Sequence, residues 1–250
     1  MINIKTDKEI EEMRRGGKIL AEALFETLKR VAPGVSELEL DKLAEELIVK
    51  KGGQPGFKRV DGYKHTICIS VNSVVVHGIP CSYKIKEGDV VGIDCGVFYN
   101  GFNTDMAETI AVGEIGEEVR KFLETGKRAL EEGIKQAKSG NRVGHISKAI
   151  QDTVEGAGYS IVESLVGHGV GKDLHEDPEI PGFLVGEIEK KPVLKEGMTI
   201  AIEVIYNMGK KDVVYRGDDQ WTIKTEDNSL SGLFERTVAV TNKEPIILTS

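Results

Sequence analysis

The sequence predicts an α/β protein built as two related halves, each placing two helices beside antiparallel strands. Three observations carry this. Two capping boxes mark helix starts in the first half, and an apolar stripe at helical spacing marks a helix in each half. Alternating apolar runs follow, one of them broken by Asn100-Gly101. The same signals then recur in the same order further along the chain.

In the first half, Thr6-Asp7-Lys8-Glu9 is a capping box, and a helix should run from it to about Val31. Ala32-Pro33-Gly34 stops it. Ser36-Glu37-Leu38-Glu39 caps a second helix, whose stripe is Leu40, Leu43, Ala44, Leu47 and Ile48, and Gly52-Gly53 ends it. Strands follow at Thr66 to Val71, Val74 to His77 and Val91 to Ile110. In the second half, Ile115 to Lys138 reads as a long helix ended by Ser139-Gly140. The next helix carries Ile146, Ala149, Ile150, Thr153 and Val154, which repeat the first stripe at one fixed offset. Gly158 repeats Gly52 at that same offset. His168-Gly169-Val170-Gly171 echoes His77-Gly78-Ile79-Pro80, so His77 and His168 are expected at corresponding strand positions. KEGMTIAIE, ending at Glu203, echoes KEGDVVGID, ending at Asp94. We expect a single domain over 1–250 with an internal duplication, the halves being about 1–111 and 112–250. Duplicated halves usually pack about a pseudo-twofold axis, which would bring Asp94 and Glu203 together; a purely architectural echo is the alternative.

The hairpin VGIDCGVFYNGFNTDMAETI organises the chemistry. Asn-Gly suits a type I′ turn, which needs two residues at φ > 0. Pairing about that tip sets Gly96 opposite Asp105, with Asp94 one diagonal step away on the same face, roughly 7–8 Å distant. Two such carboxylates repel, and one pKa rises unless a cation lies between them. Surface aspartates near a turn are the commoner reading. Asp94, however, ends the apolar run VVGI, where a buried acid needs a partner. Glu203 lies in TIAIEVIY and shares a face with Ala201 and Ile205, opposite Ile200, Ile202, Val204 and Tyr206; both faces are apolar, so it is expected to be buried. Glu235 is a second acid inside a strand pattern, GLFERTVAV. Among the five histidines, His145 falls on a polar helix face, and His65 in the loop GYKHT has no evident role. His168, within Gly167-His168-Gly169-Val170-Gly171, sits where other groups can approach closely. Asp94, Asp105, His168, Glu203 and Glu235 are too oxygen-rich for a structural zinc site. They suit a pair of manganese, iron or cobalt ions roughly 3.5–4 Å apart, a hydrolytic centre.

The rest of the composition bounds the function. The 250 residues carry a formal charge of −8, with 40% hydrophobic and 30% charged residues, ordinary for a globular chain without a global basic field for DNA. No apolar run approaches the ~18 residues of a membrane span, and the charged N-terminus does not read as a signal peptide. Cys68, Cys81 and Cys95, without CxxC spacing, argue for a reducing, cytoplasmic setting and against a disulfide framework.

At these residues the chain resembles the methionine aminopeptidases, in their short bacterial type I form. The order Asp, Asp, His, Glu, Glu is met at 94, 105, 168, 203 and 235, and VNSVVVHGIP, GHGVGKDLHEDP and WTIKTEDNSLSGLFERT look like the family's signatures. The resemblance covers nearly the whole chain and implies the pita-bread fold of creatinase and the aminopeptidases. X-Pro aminopeptidases and non-catalytic binding relatives share that fold and are the alternatives. The former carry an extra N-terminal domain; the latter have lost ligands, and all five are kept here. The chain departs from the family at Val60 and Leu174, where an aromatic is common, and at Gly182, where a His or Asn is common; these concern the substrate mouth.

What the resemblance implies is specific. Asp105 and Glu235 would bridge both divalent ions, Asp94 would chelate one, and His168 with Glu203 would complete the other. The ions would be cobalt, manganese or iron, with zinc also compatible. Glu203 would be the general base that takes a proton from a bridging water. His77 and His175 would hydrogen-bond the substrate and act in catalysis. Tyr63, Cys68, Trp221, Leu174 and Phe57 would line a pocket for a methionine side chain, a role suited to an apolar, sulfur-and-aromatic lining; plain core packing is the other reading of Cys68 and Trp221. Asn72, Val74 and Ser231 match positions that hold a monovalent cation in relatives. The substrate would be nascent polypeptide N-termini with a small second residue, and the enzyme a monomer. Lys210, Lys211 and Lys224 offer contacts to the ribosome surface, although solvated lysines are the better default.

Overall fold

The structure is a computed structural model describing residues 2–217 and 219–250. Four helices, α1 (Asp7–Leu28), α2 (Glu37–Lys50), α3 (Glu117–Lys135) and α4 (Val143–Gly156), accompany thirteen strands among the described residues. In chain order the strands are β1 (Gln54–Pro55), β2 (Ile67–Val71), β3 (Val74–Val76), β4 (Val90–Tyr99), β5 (Phe102–Ala111), β6 (Ser160–Ile161), β7 (Gly167–Gly169), β8 (Glu176–Ile180), β9 (Thr199–Asn207), β10 (Val213–Tyr215), β11 (Ile223–Thr225), β12 (Ser231–Ala239) and β13 (Ile246–Ile247). A large antiparallel sheet runs β1-β4-β5-β12-β9-β7-β8, with β2 on β4, β6 on β9 and β13 on β12; β10-β11-β3 form a second, three-stranded sheet. Among the described residues, no helix is long and apolar enough to cross a membrane.

Local sequence explains most elements. Both expected capping boxes form: Thr6 and Glu9 bond reciprocally at the start of α1, as do Ser36 and Glu39 at α2. Asn100 and Gly101 take φ of 47° and 92°, and the hairpin they close pairs Gly96 with Asp105. The α2 and α4 stripes are buried alike: Leu40, Ala44 and Ile48 match Ile146, Ile150 and Val154. Gly52 and Gly158 sit at φ 84° and 93°, and the two Lys-Glu-Gly glycines, Gly88 and Gly197, both at 84°.

The helix ends fall short of expectation. α1 stops at Leu28, not near Val31, because Ala32 precedes Pro33 and is held out of the helical region. α3 ends at Lys135, not Lys138, because Ser139 N–H donates to Thr241 O (2.9 Å) and Lys138 pairs with Thr241, so that backbone is taken by the sheet side. His145 is not simply solvated: its Nδ1 accepts from Arg142 N–H (3.0 Å) and caps α4. His65 has a partner too, Asp41 Oδ2 at 3.2 Å.

Strand parity sorts the residues. Val91, Ile93, Cys95, Val97 and Met106 pack under α1 and α2; Ile200, Ile202, Val204, Tyr206 and Phe234 pack under α3 and α4. All helices therefore cover one face of the large sheet, and the opposite face carries Asp94, Asp105, Glu203 and Glu235. At the centre, β5 and β12 exchange only two residue pairs, Ala107 with Glu235 and Met106 with Arg236. Beyond them on each side a threonine hydroxyl fills in for the missing ladder. Thr109 Oγ1 donates to Leu233 O (2.7 Å) and accepts from Leu233 N–H (3.0 Å); Thr237 Oγ1 donates to Asp105 O (2.8 Å) and accepts from Asp105 N–H (2.8 Å).

Close helix–sheet approach depends on Gly17, whose added Cβ would lie 2.2 Å from Leu248 O, a backbone atom that cannot step aside. Gly17→Ala gains about 1 kcal/mol of helix propensity and loses about 1–3 kcal/mol to overpacking. The net loss of up to about 2 kcal/mol should lower the melting temperature by up to roughly 8 °C, whereas Gly156→Ala in α4, with nothing within 4 Å, should not lower it. Calorimetry on both variants checks the contrast.

Candidate metal centre

One row of the large sheet brings the acids together. Reading across β4, β5, β12 and β9, the residues directly opposite one another are Asp94, Ala107, Glu235 and Glu203. Cys68 on β2 extends the row beyond Asp94. Ala107 is the small residue between two carboxylates, and a larger side chain there would fill the space they face. Asp105 lies two residues from Ala107 on the same face. His168, on β7, is paired with Ala201, two residues from Glu203.

The resulting cluster is tight, with Asp105, His168 and Glu235 buried and Asp94 and Glu203 half-buried. Ligand atoms of Asp105, His168 and Glu235 all lie within 4.8 Å of one another. His168 Nε2 stands 3.7 Å from Glu203 Oε1 and 4.0 Å from Asp105 Oδ2. The other ring nitrogen, Nδ1, is 2.8 Å from Gly169 O, which can only accept. Nδ1 therefore carries the proton, and the Nε2 lone pair faces the acids, as a metal-binding imidazole requires. Asp94 Oδ1 and Glu235 Oε1 are buried with no hydrogen-bond partner.

Burial raises the proton affinity of all four acids, and repulsion from neighbouring carboxylates adds to it for Asp94, Glu203 and Glu235. Burial first, then the Asp105 and Glu203 charges, push Asp94 well up; burial and the same neighbours with Asp94 do so for Glu235. Burial lifts Asp105 to about 7, and burial with the Asp105 charge lifts Glu203 to about 8. Burial lowers His168 to about 4. Four acids raised together beside a neutral imidazole, with two orphaned oxygens, fit divalent cations: positive charge relieves the repulsion, and the orphaned oxygens gain a partner.

Two cavities meet at this cluster. A pocket of about 150 Å³ is lined by Phe57, Tyr63, Cys68, Leu174 and Trp221 together with the acids. Tyr63 meets Phe57 and Trp221 edge-on at 6.4 and 5.2 Å. The hydroxyl of Tyr63 is spent on Ile67 O (2.8 Å), which leaves the ring as an apolar wall. Gly96, opposite Asp105, lets Phe57 in: a Cβ there would lie 2.8 Å from its ring. A cleft of about 530 Å³ runs along Leu165, Val166, Gly167, Asp177 and Glu179. His77, His168, His175 and Glu203 line both and mark their boundary.

The structure corrects some details. His77 is not in a strand position matching His168. It lies just past β3, in the three-stranded sheet, at φ 56°. By pairing, the counterpart of His168 is Ser70: it faces Gly92 on β4, two residues before Asp94, as His168 faces Ala201. His175 is exposed at the mouth, with its ring 4.4 Å from that of His168, and lost hydration lowers its pKa. Burial and His175 lower His77 as well. Val60 and Leu174 do border the pocket. Gly182 does not line either cavity; its nearest neighbours are Ile161 and Ile150 on the helix side. Asn72 and Ser231 are joined by Ser231 N–H to Asn72 O (2.9 Å), while Val74 pairs with Lys224. Sequence reasoning missed Val76 and Ile79 at the pocket, although the apolar run VVVHGI contains both.

Comparison with known proteins agrees with this geometry. Residues 11–242 match the model of metallopeptidase family M24. The chain is 46% identical over 249 residues to a methionine aminopeptidase of Clostridium perfringens, covering 100% of this chain and 99% of that one. The crystal structure of methionine aminopeptidase from Thermotoga maritima superposes with a TM-score of 0.96 at 42% identity, covering 100% of both chains. Prolidase from Pyrococcus furiosus matches at a TM-score of 0.78 and 26% identity, covering 99% of this chain and 65% of its own. The fold is the pita-bread fold these structures share, and the chain belongs to metallopeptidase family M24.

Proposed function

We propose that this chain is a dinuclear aminopeptidase that removes the N-terminal methionine of nascent proteins and peptides when the second residue is small. The observation that supports it most is the row of acids lying between a pocket sized for one side chain and a longer cleft. A chain end fits that layout: its first side chain enters the apolar pocket, and the remaining peptide follows the cleft. Similarity to methionine aminopeptidases over the full chain favours this reading over an X-Pro aminopeptidase.

In this reading Asp105 and Glu235 would serve both divalent ions, Asp94 one of them, and His168 with Glu203 the other. The donor set suits manganese, iron or cobalt. Such ions would supply Lewis acidity to a carbonyl and to a water. Glu203 would be the general base, its carboxylate taking the proton from that water. His77 and His175 are neutral near pH 7; His175 donates an N–H to the scissile carbonyl or the following peptide, and a bare His77 ring nitrogen accepts from the next amide N–H. The selection of a small second residue rests on the family resemblance, with the metal centre and the histidines at the boundary crowding that position. A monovalent cation beside Asn72, Val74 and Ser231 belongs to the same reading and rests on the family resemblance. We read residues 1–250 as one catalytic unit with halves near 1–111 and 112–250, supported by the matched stripes and glycines of α2, α4 and the two Lys-Glu-Gly turns.

A cleavage panel tests the substrate. Met-Ala peptides should be cut efficiently with Mn²⁺, and Met-Leu and Ala-Pro peptides at least tenfold more slowly; equal rates on Met-Leu would sink the size selection. Glu235→Gln should keep the fold and lose divalent-ion affinity by more than the 10–100-fold typical of an outer partner, together with activity. Unchanged Mn²⁺ binding by titration calorimetry would remove Glu235 from the metal site.

Chelator-treated protein should show a specific pH dependence. The acids have folded pKa values above their ordinary 3.8–4.5, so their contribution is present below that range and lost as pH rises through about 7 and about 8. His168, lowered to about 4, works the opposite way: its contribution is present above its ordinary 6.5 and lost as pH falls toward 4. Between 6.5 and 8 the acids therefore dominate, and the melting temperature of the metal-free protein should fall as pH rises. Saturating Mn²⁺ should raise it most at the alkaline end. A flat metal-free profile across that window would contradict this.

A further inference from the structure

The N-terminal arm holds a buried charge that nothing in the catalytic reading uses. Lys5 Nζ lies 2.5 Å from Glu176 Oε2, with the two side chains 5% and 3% exposed. Glu176 is the residue after His175 and the first of β8, paired with Gly169 of β7. The arm is itself anchored: Lys5 N–H donates to Gly197 O (2.8 Å), the turn that leads into β9.

The ion pair occupies space that only a glycine leaves. A Cβ at Gly171 would lie 2.5 Å from Lys5 Cε and 2.7 Å from Glu176 Oε1. Glu176 Oε1 also accepts from Asp173 N–H (3.3 Å), inside the loop that carries His175. From the other side, Asn103 on β5 bonds Gly171 O through its backbone N–H (2.7 Å) and Lys172 O through Nδ2 (2.9 Å). The 170–175 loop is thus pinned at two points, and His175 is its one exposed ring at the cleft. A buried ion pair seldom outperforms apolar packing of equal volume in stability. What it provides here is a fixed direction and distance between the chain's first residues and the loop.

We propose that Lys5 is a positioning residue: by its buried pair with Glu176 it fixes the 170–175 loop and so aims the His175 ring at the substrate. The proposal rests on the assignment of His175 to the substrate, and the experiment separates the two. A shift of about 1 Å in a group that meets the reacting carbonyl can cost ~10²-fold in rate. Losing the pin should therefore slow turnover without emptying the metal site, because Gly169 remains held by β9.

The test uses the full chain loaded with Mn²⁺ and a Met-Ala-Ser peptide, measuring Mn²⁺ affinity, melting temperature, kcat and KM. Lys5→Met should keep Mn²⁺ affinity within a few-fold and lower kcat by about 10–100-fold. Because that variant leaves the Glu176 carboxylate buried without its cation, Lys5→Met with Glu176→Leu serves as the fold-safe form. It should regain the melting temperature yet stay at least tenfold slow, since the Asp173 bond is also gone. On a His175→Ala background, Lys5→Met should cost little further, the non-additivity expected of two residues acting through one group. Wild-type kcat in the folded double variant, or losses that simply multiply with His175→Ala, would overturn the positioning role. If His175→Ala itself turns over normally, the assignment of His175 fails and the proposal with it. A slow His175→Ala beside a normal Lys5→Met overturns the proposal alone.

Discussion

Four carboxylates crowd one face of one sheet, two buried and two half-buried, and the rest of the structure answers to that constraint. Desolvation opposes ionisation of Asp94, Asp105, Glu203 and Glu235, and like charge adds to it for Asp94, Glu203 and Glu235. The sheet can carry them only because its other face buries two apolar cores under four helices. Strand alternation then fixes what points where: Ile93 and Cys95 flank Asp94, Ile202 and Val204 flank Glu203, Met106 follows Asp105 and Phe234 precedes Glu235, and these apolar neighbours belong to the core. Ala107 keeps the middle of the row open, and the Thr109 and Thr237 hydroxyls keep the strands in register where the backbone ladder stops.

Much of this was legible because it is local. Thr6, Ser36 and their glutamates announce helix starts within four residues, and Asn100-Gly101 fixes a register that sets Gly96 opposite Asp105. Parity along TIAIEVIY buries Glu203 toward the cleft for the same reason. The helix ends were less legible because distant backbone decides them: Thr241 claims the residues after α3.

What escaped the sequence is what depends on remote partners. Nothing near Ala107 says that Glu235 will face it, because the pairing joins strands from opposite ends of the chain. Lys5 and Glu176 are 171 positions apart, and each alone reads as a solvated surface charge. The internal echo misled at one point. Two His-Gly pairs in matching order suggested matching strands, but β3 leaves the large sheet for the small one, and His77 follows it. Order along the chain was preserved there and position in the sheet was not. Gly182 erred similarly: it packs against Ile161 and Ile150, behind β9 and away from the cleft.

The seam between β5 and β12 also has a kinetic side. Each hairpin or strand pair next to it can close early, since β4 adjoins β5 in sequence and β12 is separated from β9 by one small excursion. The seam itself joins residues up to 132 apart, as between Asp105 and Thr237, and so carries the loop-closure cost of a high-contact-order step. Asp94 and Asp105 lie on one side of it, His168, Glu203 and Glu235 on the other. A chain emerging in order completes its first pair of acids long before the second set exists. Before the seam closes two carboxylates stand together, and only afterwards do five groups surround one volume, so a divalent cation bound there would fasten a late step of folding.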